Sequence, residues 1–490
     1  MSDKERIAWL QAENAELRTA VATAHETITV LTAQVAALVA QNSVLVERIA
    51  VLKKQGGTNS RNSSKPPSSD GPVRLPKSLR HPSGKKAGGQ PDHPGASLRL
   101  VERPDAVVVV QPLVCGTCQG SLGDGVIVGR ERRQVIDVPP VRPVVREYHG
   151  VRVCCAACGA TTTGAFPVGV RAPVQYGPRV RAIAVYLTQQ QLLPYGRTRE
   201  VLTDLRGCPI TEGTLATLVQ EAAARLAPVE DAIATALRTG ALLHNDETGL
   251  WVEGKRWWLH SASTARLTHY GVHPKRGTEA TNALGILPGF GGTSIHDGWA
   301  PYRQYPCRHA LCNAHQLREL TWVAEHDGHA WAGTMILLLR SMKQSVDAAR
   351  VAGMVALSPR THARFRRRYA RLLVIGRMAN PPPPRVGPPV RGRPKQSTAA
   401  HLLDHLARID EVLAFMDDFA IPFDNNQAER DVRMVKVQQK VSGTFRSVQG
   451  AHAFARVRGY LSTLRKQGLP LLAALEAVFI GQPLCPHLQT

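Results

Sequence analysis

Apolar residues in the first segment recur with the seven-residue period of a coiled coil. The d positions hold leucine in all heptads but one, at Leu10, Leu17, Leu31, Leu38, Leu45 and Leu52. The a positions are mostly β-branched and include Asn14 and Asn42, a pattern that favours a parallel pair of fixed register. Residues 1–55 are therefore predicted to be a dimerisation helix. The alternative is a long amphipathic helix that folds back on its own chain.

A helical period returns over residues 176–238, interrupted by a short turn. A helix over Thr198–Leu205 is followed by Gly207, and Thr211 then offers the N-cap of a second helix. This order is typical of a DNA-binding helix-turn-helix, although any helical hairpin shares it.

From Ala241 the pattern changes to short strands. The order is strand, strand, strand, helix and strand, and the last strand covers Gly292–His296. Asp246 is expected at the end of the first strand and Asp297 at the end of the fourth. Acids at strand ends share a sheet edge, where they can face one another across a metal site.

Composition and charge narrow the class of protein. Of 490 residues, 43% are hydrophobic, which excludes a wholly disordered chain, and only 5% are aromatic, which argues against a sandwich or a base-stacking platform. The formal net charge is +23, and it concentrates in residues 56–100, 359–398 and 424–466. One basic run is usually a solvated face. Three such runs on one chain favour a nucleic-acid partner.

No stretch is expected to reach the ~18–20 apolar residues of a membrane span, and the charged start does not resemble a signal peptide. We expect a soluble cytoplasmic protein without a membrane partner.

Two CxxC pairs, each followed closely by glycine, predict a structural zinc site. The four ligands would be Cys115, Cys118, Cys155 and Cys158. Their separation is longer than the common spacing, so β-strands are expected between them. Two unrelated reduced cysteine pairs are the alternative, and Cys154 is a spare that could replace Cys155.

Asp246 and Asp297 suit Mg²⁺, which prefers oxygen ligands. A third acid, Glu429, lies on a helix that opens with Asp424 or Asn425 as its cap. The same helix face carries cations expected to hold DNA phosphates, namely Arg433, Lys436 and Lys440. A solvated helix with i,i+4 pairs is the alternative.

Four other residues near these acids are weaker candidates for a role in metal binding or catalysis. Cys312 and His315 are either metal ligands or a packing pair, and zinc is the minority interpretation. Glu247 and His296 are supporting candidates at most, since neighbours on a strand point to opposite faces.

Several motifs together resemble the DDE transposases of the insertion-sequence-66 family, which belong to bacterial mobile elements. In the catalytic half they are His244-Asn-Asp-Glu-Thr-Gly, His296-Asp-Gly-Trp-Ala-Pro-Tyr, Cys312-Asn-Ala-His315 and Asp424-Asn-Asn-Gln-Ala-Glu-Arg. In the linker they are Asn62-Ser-Ser-Lys-Pro-Pro-Ser-Ser-Asp and Gly88-Gly-Gln-Pro-Asp-His-Pro-Gly. The resemblance runs in order from about residue 10 to 485.

The resemblance implies a multidomain α+β protein whose catalytic core is RNase H-like, with Asp246, Asp297 and Glu429 as the acidic triad. It implies DNA cleavage at element ends and strand transfer into target DNA with Mg²⁺ or Mn²⁺, at the nucleoid in the cytoplasm. Accessory proteins of the same element are possible partners.

The predicted organisation has six parts. They are a coiled coil, a basic Gly/Ser/Pro linker, a zinc-ribbon-like domain, a helix-turn-helix-like DNA-binding region, a catalytic domain and a C-terminal domain, at residues 1–55, 56–99, 100–170, 176–240, 241–440 and 441–490.

The catalytic domain is expected to contain a basic helical insertion at about 325–420 that contacts DNA. Within it, Arg391-Gly-Arg393-Pro-Lys395 resembles an AT-hook that would lay arginine in a minor groove. A basic linker is the alternative.

Two other functions fit parts of the chain. A non-catalytic dimeric DNA-binding regulator explains residues 1–240 but not the later acids, and an RNase H-like nuclease shares the acidic site. A tyrosine recombinase using Tyr302 or Tyr460 is disfavoured, since a lone Tyr beside basic residues usually packs or contacts phosphate.

Overall fold

The N-terminal segment is one uninterrupted helix in the computed structural model, which describes residues 3–57, 98–381 and 396–489. This helix, α1, covers Asp3–Gly57. The apolar side chains described along it are exposed, as for Leu31 at 53% and Leu38 at 63%. Most of the predicted linker lies outside the described residues.

Part of α1 is also long and apolar enough to cross a membrane. By length and composition alone, Arg6–Val46 meets that description, so the expectation that no stretch would do so was wrong. The reason is that residues 27–46 carry no charged side chain. The heptad pattern accounts for the same apolarity, because a and d layers require it.

Residues 98–175 are mainly irregular and extended. They contain two short antiparallel strands, β1 at Arg152–Cys154 and β2 at Thr161–Thr163. Nearly all valines of residues 98–175 are exposed, as for Val128 at 99%, and no apolar core cluster of the described residues includes this segment. The strands expected between the CxxC pairs are therefore largely absent from the described residues.

Three helices follow, α2 at Pro178–Val185, α3 at Tyr195–Arg206 and α4 at Glu212–Arg238. Helix α3 ends at Gly207 with φ of 60°, and the Thr211 side chain accepts the N–H of Thr214 at 3.2 Å. These are the turn and the cap that the sequence predicts.

The centre of the molecule is a five-stranded mixed sheet. Its strands are β3 at Leu242–Val252, β4 at Lys255–Ser263, β5 at Thr268–His273, β6 at Thr293–His296 and β7 at Arg308–Leu311. Their order across the sheet is β5-β4-β3-β6-β7. The first three strands are antiparallel, whereas β6 and β7 run parallel to β3. Helix α5, Thr278–Leu284, lies in the connection from β5 to β6.

Asp246 lies inside β3, and the prediction that it ends the first strand was wrong. The strand continues to Val252 because it pairs with β4 along its whole second half. Glu253 and Gly254 close this hairpin with φ of 51° and 74°, as a type I′ turn requires. The part of β3 that pairs with β6 does end nearby, at His244.

Six helices between β7 and residue 418 form a second apolar core. They are α6 at Asn313–His326, α7 at Ala330–Val351, α8 at Pro359–Ala379, α9 at Thr398–Leu406, α10 at Ile409–Val412 and α11 at Ala414–Asp417. Buried side chains from α6 to α11 meet there, including Leu320, Leu339, Tyr369 and Phe415. The segment predicted as a basic insertion is thus helical with its own core.

Three final helices return to the sheet, α12 at Asn426–Ser442, α13 at Val448–Lys466 and α14 at Leu471–Ile480. Helix α12 packs on β3 and β4, and α13 packs between α4 and β5. Leu226 of α4, Leu243 of β3 and Leu461 of α13 are buried in one core. The molecule is therefore a mixed α+β protein with a sheet at its centre.

Candidate active site

Asp246 lies in β3, and Asp297 directly follows the neighbouring strand β6, at the same level of the sheet. Leu242, Leu243 and His244 pair in order with Thr293, Ser294 and Ile295. Two residues further along the same register, Asp246 lies beside Asp297. Adjacent strands are about 4.8 Å apart, so the two carboxylates project from the point where β3 and β6 begin to separate.

The loop after β6 holds Asp297 in place through its own backbone. The N–H of Trp299 donates to Asp297 Oδ1 at 2.8 Å, and the N–H of Gly298 donates to Nδ1 of His296 at 3.0 Å. Gly298 has φ of 98°, a conformation that glycine adopts without strain. His296 is fully buried and supports this loop rather than reaching the site.

Asn425 joins the helix that carries Glu429 to the strand that carries Asp246. Its side-chain amide donates to the carbonyl of Asn245 at 2.8 Å, and its Oδ1 lies 2.8 Å from Nδ1 of His244. Its backbone N–H donates to Sγ of Cys312 at 3.1 Å. Asn425 is the N-cap residue of α12, but its side chain accepts no N–H of the helix; Asp424, one residue earlier, accepts the N–H of Asn426 at 3.1 Å. The start of α12 is thereby fixed against β3 and α6.

Glu429 lies on the first turn of α12, where side chains of α6 surround it. Arg318 donates to Glu429 Oε1 at 2.8 Å, and Nε2 of His315 lies 3.7 Å from the same oxygen. Neither contact was expected from the sequence, because Arg318 and Glu429 are 111 residues apart.

Negative charge accumulates at this point of the fold. Burial raises the pKa of Asp246 well above its ordinary value, and the charges of Glu247, Asp297 and Glu429 raise it further. The three acids identified from the sequence are thus electrostatic neighbours. Their mutual repulsion is what a bound divalent cation would relieve.

Glu247 is a further acid at the site, with a side chain only 2% exposed. Arg276 donates to its Oε1, and the hydroxyl of Tyr302 donates to its Oε2. Burial and the charge of Asp297 raise the pKa of Glu247, against these two hydrogen bonds. The guanidinium of Arg276 also lies 4.3 Å from the ring centre of Trp299. Glu247 therefore ties β3 to the loop that follows Asp297.

Helix α6 contributes another carboxyl that the sequence analysis did not identify. Burial raises the pKa of Glu319 to about 7, with a further contribution from Asp297 and an opposing one from Arg318. Glu319 lies one turn beyond His315 on the same helix. The i,i+4 spacing of these residues was the signal available in the sequence.

Cys312, His315 and Glu429 bring their ligand atoms within 4.8 Å of one another. Among the described residues, no other group of three or more potential ligands meets this condition. Burial raises the pKa of the Cys312 thiol to about 12, however, and its sulfur accepts the N–H of Asn425. A neutral thiol in that role is an anchor for α12 and a poor metal ligand.

The cations predicted to hold DNA differ in their surroundings. Arg433 and Lys440 are exposed on α12. Lys436 instead donates to the backbone carbonyl of Gly249 at 2.5 Å, and burial lowers its pKa. Arg391 and Arg393 lie outside the described residues.

Both CxxC segments form the same tight turn. The N–H of Cys115 donates to the carbonyl of Gly120, and the N–H of Cys155 donates to that of Ala160, each at 2.8 Å. Backbone N–H groups of the following residues lower the pKa of Cys115 and of Cys155, which favours metal-binding thiolates. Each turn is shaped individually, and the described residues do not gather the four thiols at one point.

The two tyrosines considered as nucleophiles have structural partners. Tyr302 is buried and donates to Glu247, and burial raises its pKa well above the ordinary value. Tyr460 donates to the carbonyl of Leu484 at 2.9 Å, and burial raises its pKa too. A raised pKa disfavours the phenolate that nucleophilic attack needs.

Comparison with known proteins adds three similarities. Residues 173–453 match the family described as transposase IS66 family, and residues 3–99 match a family of unknown function, DUF6444. The chain is also 24% identical to an uncharacterized protein, y4jD, of Sinorhizobium fredii, with 79% of each chain covered. The first match spans the sheet and all the acids described above.

Proposed function

The chain belongs to the IS66 transposase family, and we propose that it cuts and joins DNA at the carboxylates of Asp246, Asp297 and Glu429. The observation that carries the proposal is the shared electrostatic environment of these three acids, which come from β3, the end of β6 and α12. The sheet order β5-β4-β3-β6-β7 supports an RNase H-like core, because it brings the first two acids to neighbouring strands.

The residues at the site fit Mg²⁺ or Mn²⁺. Carboxylate oxygens are the ligands that these hard cations prefer, and Asp246, Asp297 and Glu429 would hold them. When bound there, such ions would supply Lewis acidity that makes water a better nucleophile and would offset negative charge that develops on the phosphodiester oxygens. Burial and, after it, the charges of the neighbouring acids raise the pKa of Asp246; this supports the assignment, since a cation would offset the contribution of the neighbouring charges.

The surrounding side chains keep the carboxylates in position. Arg318 and His315 contact Glu429 from α6, and Asn425 holds the start of its helix on β3. Arg276 and Tyr302 fix the carboxylate of Glu247 by hydrogen bonds to its two oxygens. Preorganisation of this kind reduces the reorganisation that the transition state would otherwise require.

The reaction has two substitutions at phosphorus. Water first attacks the phosphodiester at the element's end, so that a new P–O bond forms, the bond to the 3′ oxygen breaks, and a 3′-hydroxyl is released. That hydroxyl then attacks a target phosphodiester in line, losing its proton while the target's own 3′ oxygen leaves. No covalent enzyme intermediate is needed, in agreement with the buried tyrosines.

The remaining regions have supporting roles in this proposal. Paired α1 helices would join two chains, the two CxxC turns would share one structural zinc ion, and Arg433 and Lys440 would contact DNA phosphates. We place the protein with DNA in the bacterial cytoplasm and expect that other proteins of the same element can assist it.

Strand transfer in cells or with purified protein tests the proposal. Asp246→Asn, Asp297→Asn and Glu429→Gln should each lower strand transfer with Mg²⁺ by about a thousand-fold or more, as expected when transition-state electrostatics are removed. Glu253→Gln is the matched control, because Glu253 is an exposed acid on the β3–β4 turn. It should keep wild-type activity.

Activity retained by all three variants would contradict the catalytic assignment. DNA binding without cleavage in any divalent metal would favour the regulator, and nicked but never joined DNA would favour the nuclease. The regulator does not explain why four carboxyl groups converge between β3, β6 and α12, whereas the nuclease shares this site and differs from the transposase only in its products.

A further inference from the structure

Helix α8 presents a continuous row of arginines to solvent. Five of its residues are exposed and lie within an arc of roughly 100° at the helical period, namely Arg360, Arg364, Arg367, Arg368 and Arg371. We call them the α8 arginine row. The opposite face carries Phe365, Tyr369 and Leu373, which are buried in the second core.

The row has no acidic counterpart. Helix α8 contains no Asp or Glu, and none of the five arginines makes an ion pair within the described residues; Arg364 only stacks 5.7 Å from the ring centre of Phe365. Arg366 is different, because it lies off the row and donates to Asp410 at 2.9 Å and to Asp417. The chain thus neutralises the arginine that faces its own core and leaves the outward row unpaired.

We propose that the α8 arginine row binds the phosphate backbone of double-stranded DNA without reading its sequence. The proposal deepens the proposed function and rests on it, since it names how the duplex is held. The guanidinium fork matches phosphate oxygens and stays charged at all relevant pH values. A row that pairs with no protein acid is complementary to a polyanion.

The dimensions of the row fit a duplex strand. Arg360 and Arg371 are eleven residues apart, which corresponds to about 16 Å at 1.5 Å per residue. One DNA strand presents a phosphate for about every 3.4 Å of helix axis, so the row can follow several phosphates. Its exposed face contains no aromatic side chain, whereas single-strand grooves combine cations with stacking aromatics.

The helix beneath the row is firmly held. The Tyr369 hydroxyl donates to the carbonyl of Leu406 at 2.8 Å, and Nε2 of His362 lies 2.6 Å from Asp417. Helix α8 packs on α7, and α7 packs on α6, whose Arg318 holds Glu429. DNA on the row would therefore be bound to the same rigid layer of helices that supports the carboxylates.

The test is the salt dependence of binding to a duplex that lacks element ends. Full-length protein, without added Mg²⁺ or Mn²⁺, is titrated into a labelled 30-base-pair DNA of arbitrary sequence over a range of NaCl concentrations. Arg367→Gln/Arg371→Gln should reduce the slope of log Kd against log salt by about 1.8, since each phosphate contact contributes about 0.9. Affinity at low salt should fall about ten-fold or more.

Two matched variants separate charge from structure. Arg367→Lys/Arg371→Lys keeps both charges and should retain most of the slope. Arg266→Gln/Arg308→Gln removes two exposed arginines elsewhere in the same body and should leave the slope unchanged. If the first pair fails to fold, Arg360→Gln/Arg364→Gln tests the same row.

The proposal is overturned if the slope of log Kd against log salt is unchanged in both row variants. It is also overturned if the Arg266/Arg308 control loses as much of the slope as the row variants do. Loss of binding to single-stranded DNA or RNA with duplex DNA unaffected also overturns it. The binding assays contain no Mg²⁺ or Mn²⁺, so they do not depend on cleavage. A wild-type protein that shows the expected salt dependence but never joins DNA when Mg²⁺ is added contradicts the proposed function and leaves the proposal for the α8 arginine row standing.

Discussion

The two regions of the molecule differ in where their apolar side chains lie: most are buried in residues 176–489, and most of those described in residues 3–175 are exposed. In the first region Leu243, Leu250 and Leu259 are completely buried around the sheet. In the second, Leu38 of α1 is 63% exposed and Val128 is 99% exposed. One region closes its own core, whereas the other has regular patterns but no core among its described residues.

The difference shows where each region must obtain its stability. Exposed apolar surface of this extent marks an interaction site, and the sequence of each segment indicates the missing component. Heptads need a second helix, and paired CxxC turns need a metal ion. The acids proposed to be catalytic lie in the self-contained region, so their geometry need not depend on either component.

Metal removal should give the largest effect, because binding of a structural zinc ion contributes about 10 kcal/mol or more to folding. The wild type should bind one zinc ion per chain, and Cys118→Ser/Cys158→Ser should bind none. In the variant, protease should cut residues 98–175 quickly while the body from 176 onwards stays intact. Metal analysis and limited proteolysis measure both effects.

Cys485→Ser is the control, since Cys485 is an exposed cysteine outside the CxxC turns, and it should retain zinc. A wild type without zinc, or a body that is degraded as fast as residues 98–175, would break the distinction between the two regions.

Disruption of the α1 pairing should cost about 5 kcal/mol of association energy, because two leucines per chain that the predicted dimer buries become charged. Leu31→Asp/Leu38→Asp should convert a dimer to a monomer in sedimentation, with unfolding of the body unchanged. Ala33→Asp/Ala40→Asp, at the outer f positions of the same heptads, should remain dimeric. A wild type that is monomeric and floats with lipid vesicles would show that α1 binds a membrane and does not pair with a second α1.

The sequence located Asp246, Asp297 and Glu429 because local pattern places acids at strand ends and helix starts. In the structure the charges of Asp297 and Glu429 are close enough to raise the pKa of Asp246. Asp246 proved to lie within a longer strand, however, and among the described residues the ligand atoms of the three acids do not all lie within 4.8 Å of one another. Arg318, Glu319 and Arg276 were missed because their contacts depend on how α6 and the segment before α5 pack against β3. Such contacts join residues far apart in the chain, and apart from the i,i+4 spacing of His315 and Glu319 the sequence carries no local signal of them.

Asn425 tests how strongly the body depends on one buried polar contact. Asn425→Ala should lower the free energy of unfolding by about 2–3 kcal/mol, because the carbonyl of Asn245 and the ring nitrogen of His244 lose their partner. Asn426→Ala is the neighbouring control, since the side chain of Asn426 makes no hydrogen bond among the described residues. Equal denaturation midpoints for the two variants would remove Asn425 from the account of how α12 is held.

The smallest effect concerns pH. Burial raises the pKa of Glu319 from 4.5 to about 7, so the folded protein binds this proton more tightly than the unfolded chain. Its contribution to stability is present below pH 4.5 and is lost as the pH rises through 7. In EDTA, the melting temperature of the wild type should therefore fall more between pH 5 and pH 8 than that of Glu319→Gln. The variant should be more stable at pH 8 by about 1–2 kcal/mol, whereas Glu253→Gln should follow the wild type. Parallel curves of melting temperature against pH for all three proteins would mean that Glu319 carries no unfavourable charge in the folded state. The cluster of interacting carboxyl groups would then be confined to the strands and α12.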